Sequence, residues 1–252
     1  MRFFDLGFAR MRYHDLPGSG VPLLFVHGLG CASSCDYPAV SADPALAERR
    51  RILLDLLGAG FSDRPSDFVY TVDAHAQCVT ALIDGLGCEA IDLFGHSAGG
   101  AIAITAAAHC KQLRSLVLSE PNLDNGGGVF SRAIARQSEA DFVRRGHDLF
   151  VREAQREGDP IWAGSLAACL PCAVHRLAVS LVQGCVPSWR ERLYALSIPR
   201  TVIFGERSLP DPDVERLQSD SIPVCVAPNA GHSMATENPS GLAQAIRQST
   251  VE

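Results

Sequence analysis

Several things are absent from this 252-residue chain, and each absence removes a class of function. No uncharged apolar run approaches the roughly 18 residues that a membrane-spanning helix needs. The stretch from Met1 to Gly7 lacks the long apolar core of a secretory signal. The expected address is therefore the cytoplasm. No run of lysine or arginine stands out and the net charge is −6, so neither nucleic acid nor an anionic membrane surface is expected as a partner. A dinucleotide fingerprint and a cluster with metal-ligand spacing are both missing, which leaves no cofactor and no metal to expect. Internal repeats and low-complexity segments are missing too. Disulfide-framework spacing is also absent: the nine cysteines are odd in number and scattered, as suits a reducing compartment. Cys169-Leu170-Pro171-Cys172 has no second CxxC to complete a zinc site and no thioredoxin-like strand before it, so it is not read as redox or metal chemistry. Cys31 and Cys35 read as small, pocket-lining hydrophobes.

What is present centres on Gly95-His96-Ser97-Ala98-Gly99-Gly100. An apolar run of strand type, Ala90 to Phe94, precedes it, and a run suited to a buried helix, Ala101 to Ala108, follows. Strand, Gly-x-Ser-x-Gly, helix is the context in which this motif makes a nucleophile elbow. So tight a turn forces Ser97 into a strained conformation, which is why its neighbours are small. The hydroxyl then stands at the start of a helix, where backbone N–H groups favour negative charge.

The rest of the chain alternates strands with helices. Residues 8–14 read as an outer antiparallel strand. Residues 22–26, 51–56, 113–119, 201–205 and 222–227 read as further strands, several of them continuous apolar runs buried on both faces. Residues 71–86 read as a helix with Thr71 or Asp73 as cap, 214–218 as a short helix, 239–248 as the closing helix, and 36–48 as a weak helical pattern. This pattern predicts an α/β fold, a mostly parallel sheet with helices on both faces. Residues 122–197 hold helical patterns near 130–156 and 173–184 and no clear buried strand, too long for an ordinary connection. They are expected to form a helical cap over the C-terminal edge of a core built from 1–121 and 198–252, the edge where such folds bind ligands.

A serine hydroxyl needs a base, and the base needs an acid to orient it. Of eight histidines, His232 is best placed, on the loop after the last strand at the same sheet edge as Ser97. His96 and His27 are expected to brace structure. His14, His75, His109, His147 and His175 are expected on helix faces or in solvent. For the acid, the loop after 201–205 carries Ser208 where a carboxylate would ordinarily stand. Glu120, at the end of the neighbouring strand, is therefore preferred, with Asp211 as the alternative and Glu206, Asp124 and Asp213 behind it. The oxyanion hole is expected from the N–H groups of Ala98 and Leu29, the latter in His27-Gly28-Leu29-Gly30. Gly28, Cys31, Phe130, Trp162, Trp189 and Met234 are candidate walls of the substrate pocket.

Taken together, His27-Gly28, Asp55 with Gly58 to Ser62, Gly95 to Gly99, and Gly231-His232 with Glu237-Asn238-Pro239 resemble the α/β-hydrolase superfamily over nearly the whole chain. Some members, among them the fungal lactonase that opens zearalenone, carry the acid after the sixth strand, and the spacing from Ser97 to Glu120 looks like theirs. A serine nucleophile in place of an aspartate implies neither epoxide-hydrolase nor haloalkane-dehalogenase chemistry. The resemblance implies a mostly parallel eight-stranded sheet and a serine hydrolase of a small-molecule carboxylic ester or lactone. A C–C bond hydrolase or lyase with the same triad is the alternative, and a non-catalytic receptor a third reading.

Overall fold

The computed structural model describes residues 1–250. Eight strands form one sheet: β1 (Arg2–Asp5), β2 (Arg10–Leu16), β3 (Gly20–Val26), β4 (Arg49–Leu54), β5 (Ile91–His96), β6 (Leu113–Ser119), β7 (Arg200–Gly205) and β8 (Val224–Ala227). Their spatial order is β1-β2-β4-β3-β5-β6-β7-β8. The pairs β1–β2 and β2–β4 are antiparallel and all others parallel. The strand Arg2–Asp5 escapes a reading of the sequence, because four residues of mixed polarity show no alternation and pairing with β2 alone defines them. The last strand starts at Val224 and not at Ile222, whose N–H closes the preceding helix onto Leu217 O at 2.9 Å.

Strand order reverses between β3 and β5: β4 leaves β3 on one side and β5 pairs with it on the other. The loops that follow β3 and β5 therefore rise side by side at a switch point, with Val26 opposite Gly95. Both strands are buried on both faces, which their unbroken apolar runs require.

Nine longer helices accompany the sheet among the described residues. They are α1 (Val72–Gly85), α2 (Ala98–Ala107), α3 (Val129–Ala135), α4 (His147–Arg156), α5 (Pro160–Ala167), α6 (Pro171–Gln183), α7 (Trp189–Ala195), α8 (Pro212–Ser219) and α9 (Pro239–Ser249). Helix α1 is capped by Thr71, whose side chain accepts from Ala74 N, and α9 by Asn238, which accepts from Gly241 N. Helix α2 is apolar all round and wholly buried, the composition of a helix enclosed on every side. In place of the weak helix over 36–48 there are three short turns, Ser33–Asp36, Pro38–Ser41 and Pro44–Leu46.

Between β6 and β7 the chain makes only helices, α3 to α7 with short turns between them. Ile134, Phe142, Leu166, Val174 and Ala178 pack there with Ala59 into a satellite cluster. Helix α7 does not stay with that cluster. Its capping box, Ser188 with Glu191, starts it so that Trp189 and Leu193 turn into the main core.

At the lower end of β5 the buried Asp92 accepts from Arg49, from Arg114 at 2.6 and 3.0 Å, and from Ser115 at 2.6 Å. It ties β4, β5 and β6 together under the sheet. Removing a carboxylate that two guanidinium groups share leaves both unpaired in a half-buried place. Asp92→Ala is expected to cost about 3–5 kcal/mol, read as a fall in the urea midpoint. An unchanged midpoint would show that the cluster adds nothing to stability.

Candidate active site

The turn after β5 is built by close approach. A Cβ on Gly95 would lie 2.6 Å from Gly99 O and 2.8 Å from the Ala103 methyl, and one on Gly99 would strike the carbonyls of Val26 and His27. Only bare backbone lets α2 begin so near β3 and β5. Ser97 sits at φ 52°, ψ −118°, and α2 starts at the next residue. Its N–H still donates to Ser119 O at 3.0 Å, so the strained residue is held by the sheet ladder. Holding such a conformation costs about 1–3 kcal/mol, which the surrounding core must supply.

Glu120 repeats the device one strand away. It follows β6 at φ 38°, with its N–H donating to Ile203 O at 3.0 Å. Its Oε1 accepts from Gly205 N at 2.9 Å, and its Oε2 lies 2.6 Å from His232 Nδ1. Burial pushes the Glu120 pKa up. Hydrogen bonds from His232, Gly205 and Ser208 outweigh this and hold the carboxyl below its ordinary range. Ser208, in the loop after β7, thus helps to hold the Glu120 carboxylate.

His232 rides on the loop after β8. Arg207 pins that loop twice, through its N–H to Ala230 O at 2.8 Å and its Nη1 to Asn229 O at 2.6 Å. Glu237 accepts from Gly231 N and pairs with Arg207 at 2.9 Å. The imidazole stays half exposed, at 50%, while Glu120 is largely covered, at 12%. Among the described residues no hydrogen bond joins the Ser97 hydroxyl to His232, although both line one cavity. Asp211, Glu206, Asp124 and Asp213 are engaged elsewhere. Asp211 caps α8, Glu206 accepts from Asn229 N, and Asp124 and Asp213 share Arg190.

The N–H groups of Leu29 and Ala98 have no protein acceptor among the described residues. Leu29 is held from its other side, its carbonyl accepting from Trp162 Nε1 at 3.3 Å. His27 braces this loop, its Nδ1 on Gly28 O at 2.9 Å and its Nε2 accepting from Leu56 N at 3.1 Å. Asp55 holds the facing turns through Ser34 and Phe61. His96 turns its Nδ1 to Ser119 Oγ at 2.9 Å, and its ring packs 4.7 Å from that of His232.

The cavity over these groups measures about 620 Å³, within the range that takes a small organic ligand. Gly28, Leu29, Cys31, Phe130 and Trp162 line it, the last two with ring centroids 4.7 Å apart. Two expected walls are not there. Trp189 faces the main core, as its helix start dictates. Met234 is buried in the cluster on the other face of the sheet and reaches only a smaller cavity behind His96. Cys35 is exposed and lines neither cavity. His75, His147 and His175 lie on helices α1, α4 and α6, with their rings buried. Glu157, Asp159 and Asn122 join the wall unannounced by the sequence reading. Asp159-Pro160, a capping residue before a proline, is the signal that marks a helix start at that place.

A model of the alpha/beta hydrolase family matches residues 23–245. The chain belongs to that family. Its match to 2-hydroxymuconate semialdehyde hydrolase of Pseudomonas sp. (strain CF600) is 38% identical over 111 residues, 43% of this chain and 39% of that protein. Haloalkane dehalogenase 2 of Mycobacterium tuberculosis (strain ATCC 25618 / H37Rv) is 34% identical over 119 residues, 46% of this chain and 40% of that protein. The chain thus spans about two-fifths of the length of these curated relatives. An esterase from Thermogutta terrifontis, solved with malate bound, superposes with a TM-score of 0.79 at 25% identity, covering 95% of this chain and 92% of that one. The N-acyl homoserine lactonase AidH, complexed with N-butanoyl homoserine, superposes with a TM-score of 0.75 at 23% identity, covering 100% and 98%, and shares the fold. No single helix among the described residues is long and apolar enough to cross a membrane.

Burial holds His75 and His96 neutral, with pKa values pushed down from 6.5 to about 3, and lowers that of His27. The unfolded chain takes up these protons below about pH 6.5 and the folded chain does not. The unfolded state therefore binds more protons, and stability falls as pH drops from that point toward 3. His75 and His96 each contribute a slope of up to about 1.4 kcal/mol per pH unit, and His27 acts in the same direction. Urea midpoints are expected to decline steadily between pH 7 and 4.5. A flat profile would show that the three rings are not held neutral.

Proposed function

We propose that this member of the alpha/beta hydrolase family is a serine hydrolase of carboxylic esters or lactones, working through an acyl-enzyme. The observation that carries the reading is the 2.6 Å contact of Glu120 with His232 beside Ser97, at a cavity where two backbone N–H groups are free. In this mechanism Glu120 holds the Nδ1 proton of His232, leaving Nε2 as the base. His232 closes on the Ser97 hydroxyl when substrate fills the cavity, and its half-exposed ring has the freedom to do so. Ser97 Oγ attacks the carbonyl carbon, and the oxyanion is held by Leu29 and Ala98 N–H, one such donor contributing about 2.7–4 kcal/mol. His232 returns the proton to the leaving alkoxide. Water then repeats the sequence and frees the acid. The helices between β6 and β7 act as a cap that keeps bulk water from the intermediate.

The similarity to 2-hydroxymuconate semialdehyde hydrolase supports a second reading, hydrolysis of a C–C bond next to a ketone by the same groups. A serine, not an aspartate, at position 97 sets the chain apart from dehalogenase chemistry. The likeness to the Thermogutta terrifontis esterase supports the ester reading.

The unaltered chain is expected to hydrolyse p-nitrophenyl esters and to take up one fluorophosphonate per chain. Ser97→Ala is expected to lose the label and to lower turnover by at least about 10⁴-fold. Turnover of a vinylogous 1,5-diketone in preference to every ester and lactone tried would favour C–C cleavage. Unchanged ester turnover in Ser97→Ala would exclude Ser97 as the nucleophile.

A further inference from the structure

The cavity wall carries Glu120, Glu157, Asp159, Asp211 and Asp213, and neither a lysine nor an arginine. One of these carboxylates is matched by cations, Asp213 by Arg190 at 2.7 Å and Arg216 at 3.3 Å, while Glu120 is hydrogen-bonded to the His232 imidazole. Among the described residues Glu157, Asp159 and Asp211 have no basic side chain in salt-bridge reach. Asp159 and Asp211 each lend one oxygen to cap a helix, to Trp162 N at 3.0 Å and to Asp213 N at 2.8 Å, which leaves their charge unneutralised. The smaller cavity behind His96, about 40 Å³, repeats the pattern with Asp36 and Asp159, neither lysine nor arginine in its lining, and His96 kept neutral by burial. Asp36 is so enclosed that burial pushes its pKa up to about 6.

A carboxylate brought into such a cavity loses its hydration, finds no cation, and faces like charges across low-dielectric walls that focus their field. The fixed groups that could offset this are the Leu29 and Ala98 N–H donors, and both are taken up by the reacting carbonyl. We propose that the substrate carries no negative charge: the enzyme takes neutral esters or lactones and turns away those with a free carboxylate. Selection acts by repulsion, the unpaired and partly buried acids Asp159 and Asp211, with Glu157 at the exposed rim, raising the free energy of the wrong substrate. The same field clears the product. Water adds to the acyl-enzyme carbonyl, the bond to Ser97 Oγ breaks, and the acid that forms ionises among carboxylates that expel it. This inference rests on the ester or lactone reading and names its substrate class.

The test compares p-nitrophenyl pentanoate with mono-p-nitrophenyl glutarate, in which a carboxylate replaces the terminal methyl of a chain of the same length. At low salt kcat/KM is expected to be at least about 30-fold lower for the glutarate. The gap is expected to narrow in 1 M salt. It is also expected to narrow in a Glu157→Gln, Asp159→Asn double variant, whose asparagine still caps α5, through faster glutarate turnover. Both esters hydrolysed within about threefold of one another by the unaltered chain would overturn the charge inference and leave the hydrolase reading standing. A gap that persists undiminished in salt and in the double variant would assign the selection to shape and overturn it as well. Hydrolysis of neither ester would defeat the ester reading and this inference together.

Discussion

The contact between Glu120 and His232 is the interaction on which the site depends. A histidine on a half-exposed loop has two tautomers and many orientations. One buried carboxylate, itself fixed by Gly205 N–H, removes that freedom. What makes the contact reachable is the parallel sheet. Strands β5, β6, β7 and β8 lie side by side, so that Ser97, Glu120 and the Gly205 N–H emerge from neighbouring strand ends at one edge. The loop after β8 then needs to cross only β7 to bring its imidazole over the carboxylate. On the proposed reading the acid stands at the end of β6, and its glutamate side chain reaches both Gly205 N and His232 Nδ1.

The fold stores strain where the chemistry is proposed and recovers it through packing. Ser97 and Glu120 are both held at positive φ, each with its N–H in the ladder of the adjoining strand. An all-buried α2 and the carbonyls of Val26 and His27 against Gly99 leave the turn at Ser97 no room to relax. His96 and His27 serve the same end. Their neutral rings are hydrogen-bonded to backbone and hydroxyl groups, so each fixes a loop without bringing a charge to it. The helical segment between β6 and β7 obeys other rules. Its helices begin at polar caps such as Asp159 and Ser188, and Asp159 also lines the cavity.

Much of this was legible in the sequence because it is local. Unbroken apolar runs mark strands covered on both faces, and the small residues around Ser97 mark the turn. Glu120 could be singled out because Ser208 left the usual place without a carboxylate while a neighbouring strand end supplied one. What was not legible depends on direction. Trp189 and Met234 have the right character for a pocket wall, but the capping box at Ser188 rotates the tryptophan into the core, and Met234 starts a short turn that packs under the sheet. Glu157 and Asp159 read as solvated residues at a helix boundary. Only the folding of α4 and α5 places them on the wall of the cavity that Ser97 also lines, Glu157 exposed and Asp159 partly buried.

The measurement that bears most directly on the central claim is kcat of Glu120→Gln on a neutral p-nitrophenyl ester at neutral pH. Glutamine keeps the size and the bond to Gly205 N–H but cannot hold the proton on His232 Nδ1. The account predicts a loss of about 10³–10⁴-fold with the fold intact. Activity within about threefold of the unaltered chain would contradict it, and would mean that another group orients the imidazole.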